Sequence, residues 1–250
     1  MGEPLRLYGL NALVLSAADG IGEAIARTLV KHGATVLAVD SSNSGVEQRF
    51  ANVKGVTGMT AALSDSGSMP AMIEAAVERL GGIDILVNEF ALQPDAPLDE
   101  SDQKLDQLLE SRASMTLASC RAALPPLQKS PRGRIINIGF LRSCFAIGGA
   151  AAARRSEQDL SDLTRALAAE IGEFGITANY IQPGAVMTPD SREVFRKQQG
   201  LRDHCIQTSA ARRLGEPVDV AKVALFLASD DAVFVSGTGI AVDGGRTDRD

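Results

Sequence analysis

Short apolar runs separated by longer amphipathic stretches set the rhythm of this 250-residue chain. Runs rich in Val, Ile and Leu fall at about 11–16, 35–40, 56–62, 83–88, 133–138, 176–181 and 239–243. They are continuous rather than alternating, as expected of strands in a parallel sheet buried on both faces. Between them, apolar positions recur at helical spacing over about 20–33, 68–81, 101–128, 150–174 and 217–229. This alternation predicts one α/β domain spanning 1–250, a Rossmann-like doubly wound fold with a seven-stranded parallel sheet and helices on both faces. Neither an internal repeat nor a linker of mixed composition argues for a second unit.

Two helices carry patterns with more than one use. Leu105, Leu108, Leu109, Leu117 and Leu124 form an apolar stripe, and Ala150 to Ala153 give the next helix a small-residue face. Both suit packing on the sheet, and both suit helix pairing across a subunit interface. Segment 187–213 lacks clear periodicity and carries Arg192, Arg196, Lys197, Arg202, Arg212 and Arg213. It reads as a surface loop with short helices, its charges a solvated face rather than a cationic lid.

Apolar residues at 45% and charged residues at 22% exclude a disordered chain. A net charge of −6 opposes non-specific binding to nucleic acid or to anionic membranes. Cys120, Cys144 and Cys205 are widely spaced and odd in number, so they read as reduced packing residues rather than a zinc or redox pair. No apolar stretch of signal-peptide or membrane-span length appears, and a cytoplasmic protein without bound metal is expected.

The punctuation of the chain narrows this further. The first strand and turn run from Ala12 through Ser16-Ala17-Ala18-Asp19-Gly20-Ile21-Gly22 into an Ala-rich helix. Asp40 closes the second strand. Asp84 to Asn88, Gly133 to Ile138, Asn179 to Gly184 with Thr188, Arg213 to Pro217, Phe226 to Ser229 and Val242 to Gly245 follow in order. In this order and over nearly the whole chain, these segments resemble the landmarks of the short-chain dehydrogenase/reductase family. Each alone is weak, but together they are specific.

The resemblance implies a dinucleotide groove, and the residues there are altered. Gly20 and Gly22 remain, but the family's first glycine is Ser16, preceded by Leu15. Asp19 reads as a helix N-cap. A carboxylate about 5 Å from a phosphate charge would still repel it by roughly 3 kcal/mol at an effective dielectric near 20. Asp40 suits the ribose hydroxyls of NAD and opposes the extra phosphate of NADP. The adenine-contacting Asp is matched by Ala62, and the N-N-A-G turn has become Asn88-Glu89-Phe90-Ala91, with Phe90 placed to fill the groove. Gly20, Gly22, Asp40, Asn88 and Thr188 are therefore expected to be vestigial cofactor residues, with no cofactor in this chain.

The family's proton chemistry uses Ser, Tyr, Lys and Asn. Their positions hold Phe140, Ala153, Glu157 and Arg112. Only Tyr8 and Tyr180 exist in the chain, and neither lies on the helix that would carry the base. Ser143 and His204 are weak substitutes, His204 reading as solvated. Arg112 and Glu157, on neighbouring helices, are expected to form a charge pair, because burying either alone costs several kcal/mol.

These replacements imply a non-catalytic member with no catalytic residue, paired with a catalytically active short-chain paralogue that binds NAD. The resemblance implies a heterotetramer through helices 101–128 and 150–174 and the C-terminal strand, working as a hydroxyacyl-CoA or alcohol dehydrogenase such as one acting on (α-hydroxybenzyl)succinyl-CoA in anaerobic toluene degradation. Two alternatives stand beside it. One is a ligand sensor using Arg112, Arg142, Arg154 and Arg155. The other is a divergent enzyme whose chemistry does not use Tyr, with Glu157 a candidate base.

Overall fold

The computed structural model describes residues 5–41, 43–90, 97–99, 101 and 103–247. Seven strands form one parallel sheet: β1 (Asn11–Leu15), β2 (Thr35–Asp40), β3 (Val56–Thr60), β4 (Ile85–Asn88), β5 (Arg134–Ile138), β6 (Thr177–Pro183) and β7 (Gly239–Val242). Their order across the sheet is β3-β2-β1-β4-β5-β6-β7. The helices are α1 (Gly20–Lys31), α2 (Val46–Phe50), α3 (Met69–Leu80), α4 (Gln103–Leu127), α5 (Ala150–Ile171), α6 (Pro189–Lys197), α7 (Gln199–Gln207) and α8 (Pro217–Ala228).

The continuous apolar runs follow from a sheet covered on both faces. In β1, Ala12 and Val14 join the cluster built with Ile21, Ile25 and Leu29 of α1 and Val220 and Ala224 of α8. Leu13 and Leu15 point the other way, into the cluster built with Met72, Ile73 and Ala76 of α3, Met115 and Ala123 of α4, and Leu167 of α5. All six residues from Ala12 to Ala17 are at most 9% exposed, so no position of this strand has a solvent face that polarity would mark. Among the described residues, no helix is long and apolar enough to cross a membrane. Cys120, Cys144 and Cys205 are buried and form no disulfide with one another.

Segment 187–213 folds as two short helices, α6 and α7. Its cations are mostly paired locally: Arg196 and Lys197 with Glu193, and Arg202 with Asp203. The solvated-face reading holds. The small-residue face of α5 turns inward, since Ala152 and Ala153 are buried in the chain's own core, and Leu117 is half-buried against the α3 side. A charge at these positions would therefore disturb the fold itself.

The strand order reverses direction between β1 and β4. That switch point opens a crevice beyond the carboxyl ends of the strands, where doubly wound sheets place their ligands.

Candidate active site

The crevice is a cleft of about 210 Å³ floored by the β1–α1 turn and walled by the segments after β2, β4 and β5 and by the start of α6. The turn is tightly built. Ser16 takes φ +50°, a left-handed conformation that costs an ordinary residue roughly 1–2 kcal/mol, at the position where the resemblance implies glycine. Gly22 has no room for a side chain: a Cβ there would lie 2.2 Å from the Ser16 carbonyl oxygen and 2.6 Å from Glu89 Oε2. Asp40 braces the turn from the end of β2, its carboxylate accepting from the Ala18 amide at 2.8 Å and from the Ser41 amide at 2.6 Å.

Asp19 occupies the N-cap position of α1, but its side chain makes no capping hydrogen bond, contrary to expectation. It stands exposed at the mouth of the cleft. Partial desolvation raises its carboxyl above the ordinary range, and Asp190, Asp40 and Glu23 add to the rise while Arg49 opposes it. Thr188 also lines the cleft. Its hydroxyl is engaged in capping α6, accepting from the Ser191 amide at 3.1 Å.

Glu89 is the deepest acid of the site. Its Oε2 is buried without a hydrogen-bond partner. Desolvation holds this carboxyl well above the usual carboxylate range, helped by Asp19 and Asp40 and opposed by the Gly22 amide and Arg112. Its neighbour Phe90 is buried, lining the cleft while joining the α3-side core. Glu89 stood in the altered turn after the fourth strand, where the apolar newcomer Phe90 drew the attention. An acid directly after a buried strand was the available signal.

Asn88 lies below the cleft, 1% exposed and outside its lining. Its amide donates to Asn137 Oδ1 at 2.9 Å and to Cys120 Sγ at 3.2 Å, and its carbonyl accepts from Ser119 Oγ at 2.8 Å. Asn137 continues to Thr164 Oγ1 at 3.2 Å, so one buried network ties β4, β5, α4 and α5 together. Ala62 is exposed beyond β3 and lines no part of the cleft, and Ala91 lies outside the described residues.

The replaced catalytic positions also come together, around one aromatic ring. Arg112 sits 4.2 Å above the centroid of Phe140, whose ring meets Phe145 edge-on at 6.3 Å. Arg112 is 6% exposed, and its NH1 nitrogen has no hydrogen-bond partner. Burial draws its guanidinium down to about 10, with Cys144 and Glu89 pulling upward. Glu157 is half-buried in a separate small pocket with Phe140, Ala153, Gln182 and Arg246. The expected Arg112–Glu157 ion pair does not form. The Phe140 ring offers the cation a desolvated electrostatic partner, which the reasoning from opposite charges alone overlooked.

The four arginines of the sensor reading do not converge on a ligand. Arg142 donates to the carbonyls of Phe145 and Ala146, Arg155 pairs with Asp106 at 2.7 Å, and Arg154 is exposed. Ser143 is buried with an unpartnered hydroxyl, and His204 lies on α7, outside the cleft lining. Among the described residues, no cluster of His, Cys, Asp and Glu could hold a metal ion.

A family profile described as enoyl-(acyl carrier protein) reductase matches residues 16–247. The chain belongs to the short-chain dehydrogenase/reductase family. It is 33% identical to the oxidoreductase UcpA of Escherichia coli over 253 residues, covering 97% of this chain and 96% of that protein. It is 31% identical to the 3-oxoacyl-[acyl-carrier-protein] reductase FabG of Vibrio cholerae over 244 residues, covering 96% and 98%. A crystal structure from Agrobacterium tumefaciens, described as a candidate gluconate dehydrogenase, superposes with a TM-score of 0.84 at 28% identity, covering 99% of each chain.

These relatives overturn the expectation of a non-catalytic subunit. Proteins that share the whole length of this short-chain dehydrogenase/reductase chain are named as oxidoreductases and reductases, not as silent partners of an active paralogue. The narrower expectation, a silent subunit of the dehydrogenase acting on (α-hydroxybenzyl)succinyl-CoA in toluene degradation, falls with it. The error lay in equating loss of one set of proton-transfer side chains with loss of reaction. The cleft still holds an acid with a buried carboxyl oxygen, Glu89.

Proposed function

We propose that this chain is a divergent short-chain oxidoreductase that interconverts a carbonyl and an alcohol, with Glu89 rather than a tyrosine handling the proton. The observation that carries the reading is the buried, unpartnered carboxyl oxygen of Glu89 in the cleft at the sheet's switch point. A carboxylic acid that stays protonated above its ordinary range can donate where a solvated carboxylate cannot.

The cleft has features that fit a nicotinamide dinucleotide. Gly22 lets the turn close tightly onto α1, the amide end of the 12-residue α1 faces the cleft, and Asp40 stands where a ribose is bound and a 2′-phosphate repelled. Gly20, Gly22, Asp40 and Thr188 would hold that group, which supplies or removes a hydride when bound. The chain's own residues do the rest. Glu89 gives its proton to the developing alkoxide oxygen in the reductive direction and takes it back in the oxidative one. Phe140, Leu141 and Cys144 line the same cleft, keep water from the acid and so keep it protonated. Phe140 packs against the Arg112 guanidinium and meets the Phe145 ring edge-on.

The test is steady-state turnover of ketones, including 3-oxoacyl thioesters, and of sugar acids with NADH or NAD. Glu89→Gln should lower kcat by about 10²- to 10⁴-fold, the usual worth of such assistance. Reduction by the wild type should decline as pH rises through the elevated Glu89 range, because the donor form disappears. Glu157→Gln should retain turnover. Full activity of Glu89→Gln with an unchanged pH profile would remove Glu89 from the chemistry.

A further inference from the structure

The rim of the cleft carries an unusual charge for a diphosphate site. Asp19 at the start of α1, Asp40 at the end of β2, Glu89 after β4 and Asp190 at the start of α6 all line it. No Lys or Arg lines it among the described residues. The nearest cations lie to one side. Arg49 of α2 is directed toward Glu23, 3.9 Å from its Oε2, and Arg112 of α4 is occupied by the Phe140 ring. The amide end of α1 is therefore shared between two claims. It faces the place where a diphosphate is held, and Glu89 already reaches it, its Oε2 lying where the Cβ of residue 22 would come within 2.6 Å.

We propose that Asp19 and Glu89 couple dinucleotide binding to protons: the cleft accepts the diphosphate with both carboxyls protonated and rejects it when Asp19 ionises. Desolvation and the surrounding acids already bias Glu89 strongly and Asp19 moderately toward the neutral form. An arriving diphosphate adds negative charge beside Asp19 and pushes in the same direction, so a proton is taken up on binding. Asp40 is different, because its two oxygens already accept backbone amides, and its charge is used by the fold. Asp190 and Glu23 sharpen the effect on Asp19, and Arg49 moderates it.

The sign follows from linkage. Binding that takes up a proton tightens as pH falls, by up to about tenfold per pH unit for each proton, between the free and bound protonation ranges of the group. The inference rests on the oxidoreductase reading above, because it presumes that this cleft takes a dinucleotide.

The experiment is calorimetric titration of the full chain with NAD from mildly acidic to mildly alkaline pH, in pairs of buffers with different ionisation enthalpies. Adenosine, which lacks the diphosphate, serves as the control ligand. Net proton uptake, a dissociation constant that rises with pH for NAD but not for adenosine, and a flattened dependence in Asp19→Asn are the expected results. Asp19→Asn should also bind NAD at least about tenfold more tightly at the alkaline end, where the wild-type carboxylate is ionised. Circular dichroism checks that the variant folds, and Glu89→Gln supplies a second variant in which the deep acid is permanently neutral. NAD binding that is independent of pH and releases no buffer-dependent heat would overturn the coupling and leave the oxidoreductase reading intact. Absence of NAD binding at every pH, in wild type and both variants, would overturn the dinucleotide site and the coupling with it.

Discussion

Arg112 offers a direct measure of what the altered site costs the fold. It is an almost fully buried cation with no ion pair, and its unused NH1 points to no hydrogen-bond acceptor. The fall of its guanidinium from the ordinary arginine range to about 10 means that the folded chain disfavours the charged form by roughly 3 kcal/mol. Stacking over Phe140 at 4.2 Å returns about 2 kcal/mol in a desolvated setting. The balance is a net penalty on the order of 1 kcal/mol. Arg112→Met keeps most of the apolar stem and removes the charge, so it should raise the unfolding free energy by about 1 kcal/mol and the melting temperature by about 2–4 °C for a domain of this size. The gain should be constant across neutral pH. Arg112 stays charged there in both states, and the penalty is relieved only as pH climbs above about 10, where the folded state releases its proton before the unfolded one. Urea denaturation of the two proteins decides the matter. If Arg112→Met instead loses more than about 1 kcal/mol, the guanidinium has interactions whose worth exceeds its desolvation, and the balance struck here is wrong.

Two further perturbations probe the framework under the cleft. Asn88→Ala removes the node that joins Asn137, Ser119 and Cys120, leaving buried polar groups unmatched and a small cavity. It should cost about 3 kcal/mol in denaturant unfolding, and a loss below about 1 kcal/mol would show that the network is dispensable. Gly22→Ala forces a methyl against the Ser16 carbonyl and the Glu89 carboxyl, and should destabilise the chain by about 2 kcal/mol while abolishing binding of NAD in calorimetry.

The fold was readable because its physics is local and repeated. The inner strands, covered on both faces, show as apolar runs, whereas the edge strands β3 and β7 keep exposed positions, and α1, α3, α4, α5 and α8 show as stripes of helical period. Helix α2 escaped because five residues with two buried side chains, Val46 and Phe50, are too short for any period to declare itself. The site was less legible. Asp19, Asp40, Phe90, Phe140 and Arg112 were each visible as departures from the family's pattern. Their partners depend on distances across the sheet that spacing along the chain does not encode. Arg112 and Glu157 looked complementary because their charges are opposite. The structure sets Arg112 against the Phe140 ring and Glu157 in the pocket on another side of it.

The same geometry explains why loss of the family's proton-transfer residues need not empty the cleft of chemistry. Phe140, at the position where the resemblance implies serine, packs against Arg112 and Phe145, so the wall after β5 is apolar. An apolar wall cannot orient a substrate oxygen by hydrogen bonding. It can, however, deprive a nearby carboxyl of water, and desolvation is the first cause of the elevation at Glu89. Phe140 thus borders the cleft in which the Glu89 carboxyl is held well above its usual range. On the proposed reading the acid lies in the turn after β4 rather than on the helix after β5, in the same cleft as the start of α1.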